Sequence, residues 1–401
     1  MNNKKLLTQT QIIFKKTNKC SICNSSIFQL IDLPKFPLTD SYCREPIDNP
    51  LLGIDQRLLY CPSCGHGQLE TLLPPEVLYG ANYCFRTSSS ATARRGTEFF
   101  ISVINEAAPG RKFHCALDLG CNDLFLLNLL KDKAEHRIGI DPIWAGLENE
   151  REDKSIQVWG NNFEDVNLTS LPVRPDLIVC RHTLEHIIDP LLVLQVLMNI
   201  AADDALFVFE VPGFDGLIER FRFDQVFHQH VQYFTLASFI KLLKIVGGRH
   251  LLHRFNLHDW SAMAIAFVKG KESSPIDASI WKQADICTHY DLFQKQFNAV
   301  GEILNRYTTF PLYGYGAAQM LPVLGYHLKT DFSNLIAVLD DDDSKDGIGY
   351  WNLSVKVLAS HKVMKLDDAV VLITSLDNFQ SIMNKLLTLR PRHIISPISI
   401  I

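Results

Sequence analysis

Through the middle of the chain, short apolar runs alternate with polar turns and helical stretches. Cys115 to Leu119 has the composition of a buried strand, and Asp118, Gly120, Asn122 and Asp123 mark its end before a leucine-rich helical stretch. A second run, Arg137 to Asp141, ends on an acid. A third, Asp176 to Cys180, ends in a polar loop that holds His182, Thr183, Glu185 and His186. The apolar run Leu206 to Pro212 carries a lone acid, Glu210, and the helix from Leu236 to Val246 is closed by Gly247 and Gly248. Strands that alternate with helices imply a parallel, doubly wound sheet, which binds ligands at the carboxyl ends of its strands. After Lys269 the chain turns polar. Beyond it the pattern predicts a helix from about Trp281 to Tyr307 and strands at 312–315, 335–339, 370–374 and 393–396, a second and smaller α/β unit. Three domains follow: 1–80, 81–270 and 271–401.

Ahead of this pattern stand two C-x-x-C pairs, Cys20/Cys23 and Cys61/Cys64, separated by 37 residues. Each pair turns two thiolates toward one point, and two pairs close a tetrahedral zinc site with no open position, so the metal is structural. Gly65 helps the second knuckle turn. The alternative is two unrelated pairs of buried thiols. The other six cysteines lack metal spacing and read as small buried hydrophobes.

Composition narrows the setting. The 401 residues are 47% hydrophobic and 21% charged, ordinary for a globular chain of two or three domains. With 39 lysines and arginines against 44 acids the net charge is −5, which argues against nucleic acid as a partner but leaves room for a local phosphate pocket. The longest apolar stretch, near Pro190 to Ala202, contains Gln195 and Asn199 and falls short of the roughly 18 residues of a membrane span. No membrane partner is expected. The first 19 residues carry five lysines and no signal-peptide pattern, so a cytoplasmic, reducing location is expected, where disulfides are rare.

The loop after the first strand has one glycine rather than G-x-G-x-x-G. That disfavours NAD, whose pyrophosphate needs more bare backbone, and suits S-adenosylmethionine (SAM), which has no phosphate. Asp141, about 20 positions on, is placed to accept both ribose hydroxyls. Asp118 alternatively caps the next helix, Phe163 is alternatively core, and Glu185 with His186 alternatively begins a solvated helix.

Leu117-Asp-Leu-Gly-Cys-Asn-Asp123 followed by Gly139-Ile-Asp-Pro142 looks like motifs I and II of class I SAM-dependent methyltransferases. The cysteine module, the segment Tyr79 to Ser88, the stretch Glu210 to Phe239 and the closing Pro311 to Met320 narrow the likeness. In this order they resemble the three-domain sugar C-methyltransferase family, which methylates carbon 3 of nucleotide-linked 4-keto deoxysugars. The resemblance implies an α/β fold: a class I SAM-methyltransferase, Rossmann-like core with an N-terminal zinc-binding module and a smaller C-terminal Rossmann-like domain. It implies SAM-loop contacts at Asp118, Gly120 and Asn122, with Asp141 on the ribose. Asn162 and Phe163 then flank the adenine, and His182 and Thr183 underlie the methionine end. Tyr83, Thr87 and Ser88 resemble a segment lying over donor and substrate. Leu124 stands where the family usually has glycine.

His228-Gln229-His230 follows Phe227 on a long loop that begins at the ligand-bearing edge of the sheet, and such loops are commonly functional. Methylation of carbon needs a carbanion equivalent, and a neutral imidazole can remove a proton alpha to a ketone. The family's tyrosine-histidine-glutamate-histidine segment maps its favoured base onto His230, with His228 as the second candidate. Phe227 and Gln229 replace the family's tyrosine and glutamate, and Leu257 to Ser261 replaces a glycine-glycine-serine stretch near the substrate. These departures keep O-methylation of a sugar or related polar metabolite open, and also a SAM-binding protein without turnover. A zinc-ribbon nucleic-acid binder is the remaining and disfavoured option. The expected cofactors are SAM and structural Zn²⁺, and the expected partner is a small molecule, a nucleotide sugar. Oligomeric state is not legible. In the last third, Gly314 and Gly316 either admit a nucleotide diphosphate or permit tight packing. Asp340 to Asp343 is either a Mg²⁺ site or a solvated turn.

Overall fold

In the computed structural model, residues 15–45, 52–78, 86–168, 171–256, 261–271, 276–307 and 309–398 are described. A seven-stranded sheet carries the middle of the chain. Its spatial order is Gly248–Asn256, Ala262–Lys269, Leu206–Pro212, Leu177–Arg181, Phe113–Leu119, Ala134–Ile140, Ile156–Trp159. The five strands from Leu206–Pro212 to Ile156–Trp159 run parallel, and the two at the other edge are antiparallel. Parallel strands lie buried on both faces, which accounts for the continuous apolar runs in the sequence. All seven residues of Leu206–Pro212 are buried. The leucine-rich stretch after the first strand is a short helix, Phe125–Leu129, followed at once by a turn. Ile156–Trp159, too short to stand out in the pattern, completes the edge.

The third unit is a five-stranded parallel sheet in the order Val357–Ala359, Ala337–Asp340, Leu312–Tyr315, Val370–Ile373, His393–Ile395. The helix Gln283–Arg306 precedes it and packs its apolar stripe inward. A Cβ on Gly316 (φ +101°) would overlap Ser375, and one on Gly314 would press on Val338 and Thr374, so both glycines serve close packing. The four aspartates are engaged by the chain itself. Asp340 accepts from Ala317 N–H at 2.7 Å, Asp341 from the Tyr315 hydroxyl at 2.8 Å, and Asp342 from Ser344 N–H at 3.0 Å. Asp343 faces the His361 ring at 2.8 Å. These contacts match the turn reading.

The N-terminal sheet does not close on itself. Its order is Gln232–Tyr233, Gly67–Leu69, Ile54–Tyr60, Phe28–Phe36, so its outer strand is lent by the histidine loop of the middle unit. Tyr42–Cys43 likewise pairs with Gly349–Tyr350 of the last unit. One apolar cluster runs through all three units and includes Leu58, Phe214, Phe227, Phe293, Leu324 and Val338. The cleft described next lies between the middle unit and the last one.

Candidate active site

Gly120 leaves the first strand at φ +72°, a conformation that glycine adopts freely, and donates its N–H to Ile140 O at 2.9 Å. A Cβ there would collide with Thr183 Oγ1. Asp118 is 2% exposed, and its Oδ1 has no hydrogen-bond partner among the described residues. Burial pushes its pKa well up, Asp141 adds to the rise, and Arg181 opposes it. The capping alternative fails, because Leu124 occupies the N-cap of the next helix. Leu124 sits at φ 64°, so the site asks for the left-handed backbone that glycine would take without strain.

Asp141 ends the second strand. Its Oδ2 accepts Asn122 N–H at 2.9 Å and its Oδ1 accepts Ile143 N–H at 3.0 Å. Burial raises its pKa, while these two N–H groups and Arg86 pull against the rise. Each carboxylate oxygen keeps a second lone pair, enough for a diol. Asn122 also accepts Thr87 N–H at 3.1 Å, and Asp123 accepts Ser88 N–H at 2.8 Å. The segment at 87–88 is thereby pinned over the glycine loop. Tyr83 lies outside the described residues, as do Leu257 to Trp260.

Thr87, Gly120, Asn122 and Asp141 open into a cleft of about 1090 Å³, whose lining includes neither Asp118 nor Ser88. Gly120, Asn122, Asp141, Asn162 and Phe163 line one part, and His182, Thr183, His186, Gln229 and His230 another. Phe163 is half-buried: it lines the cleft and also packs against the core. Gln319, Met320 and Asp377 of the last unit contribute to the rim.

Sequence reasoning missed the buried charges beneath the cleft. Glu210 is fully buried and meets Arg181 Nε at 2.6 Å and His182 Nε2 at 3.1 Å. Burial alone would raise Glu210, but Arg181 and His182 outweigh it and hold the carboxyl below its ordinary value. Burial pulls His182 down, yet Glu185 and Glu210 outweigh it and lift the imidazole above its usual pKa. Glu185 is 1% exposed, so the segment is no solvated helix start. A lone acid in an apolar run was the available signal for Glu210, because such a group folds only with a partner.

The two candidate bases part company. His230 is 9% exposed and lines the cleft, and its Nδ1 has no hydrogen-bond partner among the described residues. Its ring lies 4.1 Å from that of Phe227 and 4.9 Å from that of His186. Burial, with help from His186 and His182, drives its pKa well below the usual histidine value, so it is neutral at pH 7. His228 is a correction to the sequence reading: it does not line the cleft. Its Nε2 sits 3.1 Å from Phe36 O and its Nδ1 3.2 Å from Gln56 Nε2, both in the N-terminal sheet. Both ring nitrogens are committed, and the residue braces the loop.

Cys20 Sγ lies 3.6 Å from Cys64 Sγ and Cys23 Sγ 3.5 Å from Cys61 Sγ, with all four sulfurs within 4.8 Å of one another. Cys64 holds the Cys20 thiol low, whereas burial holds Cys61 up. Four converging sulfurs fit a tetrahedral zinc ion. The knuckles reach the cleft through Gln232. Its Oε1 accepts from the Ser21 hydroxyl at 2.9 Å and His66 Nε2 at 2.8 Å, and its Nε2 donates to Ile187 O and Ile188 O at 3.0 Å.

Residues 92–248 match the family model described as "Methyltransferase domain", and residues 20–79 match the one described as "Putative zinc binding domain". The relative "C-methyltransferase NovU" of Streptomyces niveus is 24% identical over 263 residues, which cover 64% of this chain and 62% of that protein. The match therefore spans less than two thirds of the relative's length. Among solved structures, the N-methyltransferase NodS from Bradyrhizobium japonicum WM9 in complex with S-adenosyl-L-homocysteine is 12% identical at a TM-score of 0.36, covering 47% of this chain and 92% of that one. A S-adenosylmethionine-dependent methyltransferase from Clostridium acetobutylicum ATCC 824 is 13% identical at a TM-score of 0.35, covering 49% and 96%.

Proposed function

The chain carries a class I SAM-dependent methyltransferase domain behind a zinc-binding domain, and on that premise we propose that it methylates carbon 3 of a nucleotide-linked 4-keto deoxysugar. When bound, SAM supplies an electrophilic methyl group. Asp141 takes the ribose diol, Asn162 and Phe163 flank the adenine, and Gly120, Asn122, His182 and Thr183 receive the methionine end. The unpartnered Oδ1 of Asp118 and the left-handed turn at Gly120 support that assignment.

His230 removes the proton alpha to the ketone. A neutral imidazole with an uncommitted nitrogen, buried in the wall of the cleft that Gly120 also lines, is the observation that carries the reading. The electrons of the broken C–H bond remain on the sugar as an enolate. Positive charge favoured on His182 by two buried carboxylates helps stabilise its oxygen. Holding acceptor and donor together in the cleft contributes several kcal/mol more through entropy already lost on binding, a gain of about 7 kcal/mol in well-oriented cases.

Phe227 favours a second reading, methylation of a hydroxyl. It packs its ring on His230 and offers no hydroxyl to relay a proton. A hydroxyl acceptor needs one proton removed and no enolate. Labelled SAM incubated with a panel of nucleotide sugars, with the label located by NMR, decides between the two. Deuterium uptake from solvent at the carbon alpha to the ketone marks C-methylation. Calorimetry on folded protein that detects no SAM binding overturns both.

A further inference from the structure

Arg181 is a cation of the cleft wall with no part in the transfer described above. It closes the strand Leu177–Arg181, in register with Glu210 of the neighbouring strand. It lines the cleft together with Gly120, His182 and Thr183, to which the methionine end of SAM is assigned. Its side chain is only 10% exposed. A guanidinium is a planar fork of N–H donors that stays charged. Nε meets Glu210 Oε1 at 2.6 Å, but Nη2 has no hydrogen-bond partner among the described residues. Glu210 is also shared, because the same oxygen faces His182 Nε2 at 3.1 Å. Buried donors left unused are costly to the fold unless a ligand engages them.

The helix Ala91–Ala107 makes room for this fork. Gly96 lies in its interior on the buried face, where a Cβ would collide with Arg181 Nη2. Glycine inside a helix costs about 1 kcal/mol against alanine, a cost that is offset if the guanidinium has to be held there.

We infer that Arg181 binds the α-carboxylate of SAM, with Glu210 as the positioning residue that holds the guanidinium at the cleft wall. This rests on SAM as the methyl donor and is independent of the acceptor. The planar fork matches the geometry of a carboxylate, and an ion pair of this kind is short and directional. The carboxylate takes no part in the reaction, so the contact serves binding of the donor and the aim of its methyl group, and not the chemical step itself.

The test is calorimetry on the folded, zinc-loaded protein with SAM and with decarboxylated SAM, which lacks only the α-carboxylate. Wild type should bind SAM about tenfold or more tightly than the decarboxylated ligand, the size of one charge-assisted hydrogen bond. Arg181→Met should remove that preference by weakening SAM without weakening the decarboxylated ligand. Gly96→Ala should do the same by displacing Nη2, although alanine is the better helix former. Glu210→Gln loosens the fork and should shrink the preference, a ratio that general destabilisation does not alter. Thermal melts confirm that each variant is folded, and Gly96→Ala, which keeps both charges, carries the test where Arg181→Met does not fold. A preference that survives in the folded Arg181 and Gly96 variants overturns the inference and moves the carboxylate to another group of the cleft, such as Arg86. Equal loss of both ligands makes Arg181 structural and overturns it too, as does a wild type that binds the two ligands alike. These results leave the methyl donor in place, whereas a wild type that binds no SAM removes the donor as well.

Discussion

At the scale of single residues, the cleft is built from groups held away from their ordinary protonation. His230 stays neutral because burial and two neighbouring imidazoles oppose its charging. If it is the base, its active form persists well below pH 6.5, and the acid limb of the kcat/KM profile should fall below that of an ordinary histidine. A pH–rate series checks this, and an acid limb at or above pH 6.5 would reassign the role. His230→Gln should abolish transfer while SAM binding by calorimetry stays intact. Asp118 carries the opposite strain. Its carboxyl is buried with one oxygen unpaired, so ionisation works against the fold at neutral pH. Asp118→Asn should raise the melting temperature of the ligand-free protein. It should also weaken SAM binding by about tenfold or more, the cost of a lost charge-assisted contact.

At the scale of elements, the zinc knuckles act on the cleft through a borrowed strand. Gln232–Tyr233 pairs with Gly67–Leu69, and Leu69 N–H donates to Val231 O at 3.0 Å. The side chain of Gln232 ties Ser21 and His66 to the carbonyls of Ile187 and Ile188. Loss of zinc should therefore loosen the loop that bears His230 rather than the SAM loop. In Cys61→Ser, hydrogen exchange should quicken at 228–234 while the strand Phe113–Leu119 stays protected. Gln232→Ala should cost about 1–3 kcal/mol by leaving buried partners unsatisfied, read as a lower urea midpoint. Equal loosening of both regions would mean that the knuckles support the whole fold and not the loop.

At the scale of the whole molecule, burial of histidines makes stability depend on acid. Burial lowers His66 and His230, and brings His228 and His327 down to about 4. The unfolded chain binds these protons from about pH 6.5 downward, whereas folded His228 and His327 refuse them until about pH 4, and folded His66 and His230 also resist protonation below the ordinary histidine value. His228 and His327 thus add stability above pH 6.5 that is lost progressively between 6.5 and 4, to a total of a few kcal/mol apiece, and His66 and His230 act in the same direction. His182, raised by its carboxylates, works in the other direction over a smaller range. The melting temperature should fall steadily from pH 7 to pH 5, and His327→Phe, away from the cleft, should flatten part of that slope. A slope unchanged in that variant would locate the effect elsewhere.

The sequence by itself determined whatever depends on near neighbours. Strand runs, the glycine turn at Gly120, the acid at Asp141, the close of the helix at Gly247 and the two cysteine pairs are written in local period and spacing, and the geometry follows them. Tertiary structure decided the roles of residues that local pattern cannot separate. His228 and His230 stand two positions apart on one loop, yet the first is held by Gln56, 172 residues away in sequence, and the second faces the cleft. Glu210 is paired only because the neighbouring strand ends in Arg181 and brings it, with His182, beside the acid. The reason is physical: a side chain's burial and charge state are set by its partners, and the chain brings those partners from distances over which sequence periodicity carries no information.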